Sequence, residues 1–116
     1  LITRALAQAT GVILLDEPTS DIDIWHQLDV MANVKRPVEK RNVTALMVVH
    51  DFNLASKYSD RILMLKDGKI VSAGKPSSVM TVDNIANVYG VEAHVHTLFD
   101  IPYVMPLKQI EAVIDV

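Results

Sequence analysis

Cysteine is absent from this 116-residue chain, which excludes disulfides and thiolate metal sites and is compatible with a reducing, cytoplasmic setting. Glycine is scarce. Gly11, Gly68, Gly74 and Gly90 are the only four, and none belongs to a Gly-x-x-x-x-Gly-Lys-Ser/Thr run, so no loop of this sequence cradles phosphates. Positive charge is scarce too. Eleven Lys and Arg face fourteen Asp and Glu, the net charge is −3 and no basic stripe forms, so direct nucleic-acid binding is not supported. No apolar run approaches the roughly 20 residues that a membrane-crossing helix needs, and any membrane association would go through a partner. Hydrophobic residues, by contrast, make up 50% of the chain, enough for a packed core and against disorder. The length suits one domain, or a large part of one.

The most informative segment is Val12-Ile13-Leu14-Leu15-Asp16-Glu17-Pro18-Thr19-Ser20-Asp21-Ile22-Asp23. Four apolar residues run into two adjacent carboxylates, and Pro18 then stops the chain from continuing as a sheet interior. Such a strand carries charge from a core to the rim of a site. Thr44-Ala45-Leu46-Met47-Val48-Val49 has the same design and ends in His50-Asp51. Two buried strands about thirty residues apart suggest parallel neighbours joined by a helical crossover. In such sheets, ligands bind beyond the carboxyl ends of the strands.

The remaining pattern predicts helix over 1–9 and strand over 12–16, with Gly11 between them as a stop signal. Helix is expected over 23–41, disturbed or split by Pro37. A strand over 43–49 precedes a short helix over 52–58 that Asp51 can cap. Strands over 61–66 and 69–73 flank Asp67-Gly68, a strong hairpin signal. Short helices follow over 76–80 and 82–89, with Thr81 and Asp83 as candidate cap or first-turn residues. From 91 onward the alternation of Val91, Ala93 and Val95 with Glu92, His94 and His96 is that of a strand. Asp100-Ile101-Pro102 suggests a turn, Tyr103-Val104-Met105 a short returning strand ended by Pro106, and 107–114 a final helix. His94 and His96 share one strand face and could form a metal pair. A plain surface strand is the favoured reading, because no further ligand is placed beside them.

Leu14-Leu15-Asp16-Glu17-Pro18-Thr19-Ser20 resembles the Walker B segment of an ABC-type ATPase. Asp21-Ile22-Asp23 resembles its D-loop, which usually has Leu before the Asp, so only Asp23 transfers. Val49-His50-Asp51 resembles its H-loop, and Leu1-Ile2-Thr3-Arg4-Ala5-Leu6-Ala7-Gln8 resembles the helix after the signature motif. The Leu-Ser-Gly-Gly-Gln signature itself is absent, and the chain opens on Leu1 rather than Met. The expectation is the C-terminal half of a longer ATPase over residues 1–90, followed by a short appendage over 91–116. The appendage resembles that of ATPases serving iron–siderophore, haem and cobalamin importers. Asp51-Phe52-Asn53-Leu54-Ala55, Lys66-Asp67-Gly68-Lys69-Ile70 and Val88-Tyr89-Gly90-Val91 point to the same branch.

The resemblance implies an α/β fold: a partial P-loop NTPase domain, with a mostly parallel sheet and flanking helices, lacking the Walker A strand. It implies that Asp16 holds the Mg²⁺ of MgATP through water, that Glu17 polarises the attacking water, and that His50 contacts the γ-phosphate and keeps Glu17 in register. Asp23 would face a second ATPase subunit in a head-to-tail dimer, and Ser20 is the remaining candidate binding residue. The parent protein would hydrolyse ATP at the cytoplasmic face of a membrane, as a peripheral subunit driving a permease that imports an iron–siderophore, haem or cobalamin-like chelate. The chain alone would be inactive, with no cofactor bound. The rival readings are an ABC-type ATPase of DNA repair or chromosome maintenance, and a non-enzymatic interaction fragment. In the resembled fold the absent Walker A strand lies between the strand before His50 and the strand over 61–66. Two strand edges are therefore expected to stand open, inviting self-association. Alternatively, 61–66 could slide over and pair with 44–49.

Overall fold

The computed structural model describes residues 5–7 and 11–110, the first three as backbone. Packing divides the chain into two compact units, residues 1–50 and 51–116.

The first unit is a three-stranded sheet with one helix. Strand β1 (Ala5–Ala7) runs antiparallel to β2 (Val12–Asp16), which pairs in parallel with β3 (Thr44–Val48). The helix expected over 1–9 is thus overturned at 5–7: a strand edge of β2 offers backbone partners, and that pairing outweighs local propensity. The other residues of that expected helix up to Gln8 and Ala9 lie outside the described set. Helix α1 (Ile24–Lys40) makes the crossover and contacts β3. Pro37 neither splits nor ends it. Proline removes a single donor near the helix end, and its own carbonyl still accepts from the Arg41 N–H. Leu15, Val30 and Met31 are the buried apolar residues here. Strand alternation puts Leu15 beside the half-buried Met47, with Ile13 beside Ala45. The opposite face carries Val12, Leu14, Leu46 and Val48, and the last two are 54% and 55% exposed.

The second unit begins with α2 (Phe52–Tyr58), capped by Asp51, whose carboxylate accepts from the Asn53 and Leu54 N–H groups. Strands β4 (Ile62–Lys66) and β5 (Lys69–Gly74) form a hairpin. Asp67 and Gly68 turn it with φ of 52° and 75°, the left-handed pair that a tight two-residue turn demands. Helices α3 (Pro76–Val79) and α4 (Val82–Tyr89) follow, with Thr81 capping α4 by accepting from the Asn84 N–H. Strands β6 (Val91–Leu98) and β7 (Ile101–Gln109) form the last hairpin, turned at Phe99-Asp100, and pack against α4 and α2 respectively. Strand β7 continues past Pro106, so the helix expected from 107 is absent over 107–109, and 111–114 lie outside the described residues. Pro106 is accommodated because the register shifts by a bulge between Glu92 and Ala93, where it sits opposite Ala93.

The α/β class stands. Among the described residues, parallel pairing is confined to β2 and β3, and the other three pairings are antiparallel. Strand β4 pairs with β5 and not with β3, so the closure of the sheet by sliding is not what forms.

Candidate functional site

The site lies at the carboxyl ends of β2 and β3. The parallel ladder continues one step past β2, where the Glu17 N–H donates to the Val48 carbonyl at 2.7 Å. That bond fixes Glu17 beside the end of β3. Glu17 has φ of 46°, a left-handed conformation that costs a non-glycine residue on the order of 1 kcal/mol. The turn lifts its side chain out of the strand alternation, and Glu17 Oε1 lies 2.7 Å from His50 Nε2. Glutamate and histidine, 33 positions apart, therefore meet because two parallel strands end at the same level. His50 is largely exposed and Glu17 partly so, which leaves the pair accessible to a ligand.

Asp16 ends β2 directly opposite Val48, on the exposed face of the sheet. Among the described residues no group of three or more His, Cys, Asp or Glu is placed to hold a metal. A single carboxylate suits a Mg²⁺ that keeps most of its waters and takes further oxygens from phosphates. Pro18 and Thr19 are buried and anchor the turn, while Ser20 is exposed and donates its N–H to the Glu17 carbonyl at 3.2 Å. Asp21 has φ of 62°, a second left-handed residue within five positions.

Asp23 does a local job at the start of α1. It is the N-cap of α1: Oδ1 accepts from the His26 N–H at 2.9 Å and lies 2.7 Å from His26 Nδ1. The backbone hydrogen bond from His26, then the imidazole contact, hold the Asp23 carboxyl below its ordinary range. His26 escaped the sequence reading, although its place three residues after an Asp that opens a helix is the signal that could have found it. The site thus brings Glu17 and His50 into contact. Asp23 is engaged with His26 instead, and Asp16 and Ser20 flank the turn.

No family model matches the chain. Similarity to individual proteins is extensive. An uncharacterized ABC transporter ATP-binding protein of Methanocaldococcus jannaschii is 42% identical over 107 residues, which is 92% of this chain and 42% of that protein. The petrobactin import ATP-binding protein of Bacillus anthracis is 44% identical, over 92% of this chain and 39% of its own length. The ferric enterobactin transport ATP-binding protein of Escherichia coli is 35% identical, over 91% of this chain and 40% of its length. The chain therefore spans about two fifths of the length of the curated relatives it matches. A solved chain from a transporter assigned to the metal-chelate ABC type, in an inward-facing conformation, superposes with a TM-score of 0.72 and 22% identity, covering 84% of this chain and 41% of that one. That likeness establishes the fold. The sequence matches, at 35–44% identity over more than nine tenths of this chain, place it in the family of ABC-transporter ATP-binding proteins.

Proposed function

We propose that this chain is the Walker B, D-loop and H-loop portion of the ATP-hydrolysing subunit of an ABC importer for an iron–siderophore, haem or cobalamin-like chelate. One observation carries the reading: the 2.7 Å contact between Glu17 and His50 at the ends of adjacent parallel strands. Phosphoryl transfer depends almost wholly on positioning and charge stabilisation. Glu17 accepts a hydrogen bond from the attacking water and orients it, and His50 keeps the Glu17 carboxylate in place and reaches the γ-phosphate. Asp16 is the residue that would hold a hydrated Mg²⁺, which would supply positive charge against the phosphates. Asp23 and Ser20 face the nucleotide or a second ATPase subunit. Residues 1–90 belong to the ATPase domain and 91–116 to its appendage. The subunit works against permease subunits at the cytoplasmic face of a membrane. The relatives named for petrobactin and ferric enterobactin support this cargo class.

The phosphate-binding loop must be supplied by sequence other than this one. The test is a protein that joins this sequence to such a loop. There, Glu17→Gln is expected to retain ATP binding and lose phosphate release by orders of magnitude, and His50→Ala is also expected to lose hydrolysis. Wild-type turnover in either variant contradicts the assigned roles. The 116-residue chain alone is expected to show no Mg²⁺-dependent turnover.

The same reading extends to self-association. Among the described residues, the β3 edge away from β2 has no strand partner, and Thr44–Val48 carries neither charge nor proline to discourage pairing. A second copy of the chain is the expected partner for this edge. Light scattering of the isolated chain should give a dimer or larger, and Leu46→Lys should shift it toward monomer. A wild-type monomer overturns this part of the proposal.

A further inference from the structure

His94 and His96 take no part in the site at the ends of β2 and β3. They lie on β6, separated by one residue, so both side chains leave the same face of the hairpin. Both are exposed. Their rings stand edge to face with centroids only 4.3 Å apart. Across the ladder, His94 faces Met105 and His96 faces Tyr103, both of which are exposed as well.

We propose that His94 and His96 form a two-ligand binding site for a divalent transition-metal ion. The strand fixes their spacing, so little backbone ordering remains to oppose chelation. Imidazole nitrogen suits Cu²⁺, Ni²⁺ and Zn²⁺, whereas Mg²⁺ and Ca²⁺ take oxygen ligands. Rings this close on one rigid strand need only side-chain rotation to turn a nitrogen each toward a shared ion, and among divalent first-row ions a nitrogen site binds Cu²⁺ most tightly. Met105 stands opposite His94 as a thioether that a soft ion can recruit. Glu92 alternates onto the same face, where its carboxylate lies 4.0 Å from the Lys108 ammonium. The remaining coordination positions stay open to water or to donors of a small chelator.

The test is calorimetric titration of the intact chain with Ni²⁺ and with Cu²⁺, alongside amide spectra that report which residues the paramagnetic ion broadens. One equivalent is expected to bind, broadening residues 94–96 and 103–105. His94→Ala and His96→Ala are each expected to weaken binding at least tenfold, with unchanged circular dichroism, because both side chains are exposed. His26→Ala and His50→Ala are expected to leave it unchanged. Binding that survives loss of both His94 and His96, broadening centred on Glu17 and His50, or no stoichiometric binding at all overturns the proposal.

Discussion

The two compact units divide the labour unevenly. Residues 1–50 hold the candidate chemistry on a thin scaffold, whose buried apolar side chains among those described are Leu15, Val30 and Met31. One face of its sheet meets α1, while Val12, Leu14, Leu46 and Val48 stand exposed on the other. Residues 51–116 carry none of the proposed catalytic groups, yet bury Ala55, Ile62, Met64, Val79, Met80, Ile85, Ala93 and Val104. The contrast teaches that placing two side chains at the rim of a site needs only two paired strand ends and a strained turn. Stability is a separate requirement, and an exposed apolar sheet face is the physical sign that the scaffold looks to another surface for part of it.

The largest effect that would break this contrast is a core truncation. Ile85 is fully buried on α4, and Ile85→Ala is expected to cost roughly 2–5 kcal/mol through lost transfer energy and the cavity left behind. Leu46→Ala on the exposed sheet face is expected to change stability by about 0.5 kcal/mol or less. Denaturant unfolding of both variants measures the difference. Comparable losses at the two positions would mean that Leu46 is covered in solution.

A smaller effect tests how the second unit holds its last hairpin. The Asn53 amide donates to the Val104 carbonyl at 3.0 Å, and the Val104 N–H donates back to Asn53 Oδ1 at 2.7 Å. The side chain thus acts as a one-residue strand partner for β7, joining it to α2. Asn53→Ala strands a buried N–H and a carbonyl, at an expected cost of about 1–3 kcal/mol. Asn53→Asp keeps the acceptor and loses the donor, and should lie between the two. Amide exchange at Val104 reads the effect directly, and unchanged protection in Asn53→Ala would remove the clamp from the account.

What was legible in the sequence follows from how local each cause is. The strand expected over 12–16 forms as Val12–Asp16, and the helix expected over 52–58 forms as Phe52–Tyr58 with Asp51 as its cap. Apolar runs ending in acids, capping carboxylates and Asp-Gly turns act over a few residues, so a few residues reveal them. The misses have distant causes. Ala5–Ala7 is a strand because β2 offers an edge, and β7 outlasts Pro106 because its neighbour Leu107 bulges out of the ladder with β6. The Asn53 clamp joins residues 51 positions apart, and no local pattern announces it. At the site, the parallel-strand argument placed Glu17 and His50 at one rim. The left-handed turn that aims Glu17, and the engagement of Asp23 with His26, needed coordinates.

The smallest expected effect concerns the cap that starts α1, and it sharpens the contrast from the side of the site-bearing unit. Asp23 is exposed, so its contribution rests on hydrogen-bond geometry rather than burial. Asp23→Asn keeps a side-chain oxygen for the His26 N–H and should preserve most of the cap, whereas Asp23→Ala removes it and should lower the melting temperature further. The acid side separates the two roles of the carboxylate. The folded state holds this group below its ordinary value of 3.8, chiefly through the backbone bond from His26. Its charge-dependent stabilisation is therefore complete above that value and is lost as pH falls through the lowered folded value. Between neutral pH and strong acid, the wild type should lose more stability than Asp23→Asn, which has no carboxyl to protonate. Melting curves for the three proteins across this range test it, and parallel acid-side losses in wild type and Asp23→Asn would show that the charge of Asp23 contributes nothing to holding the helix start.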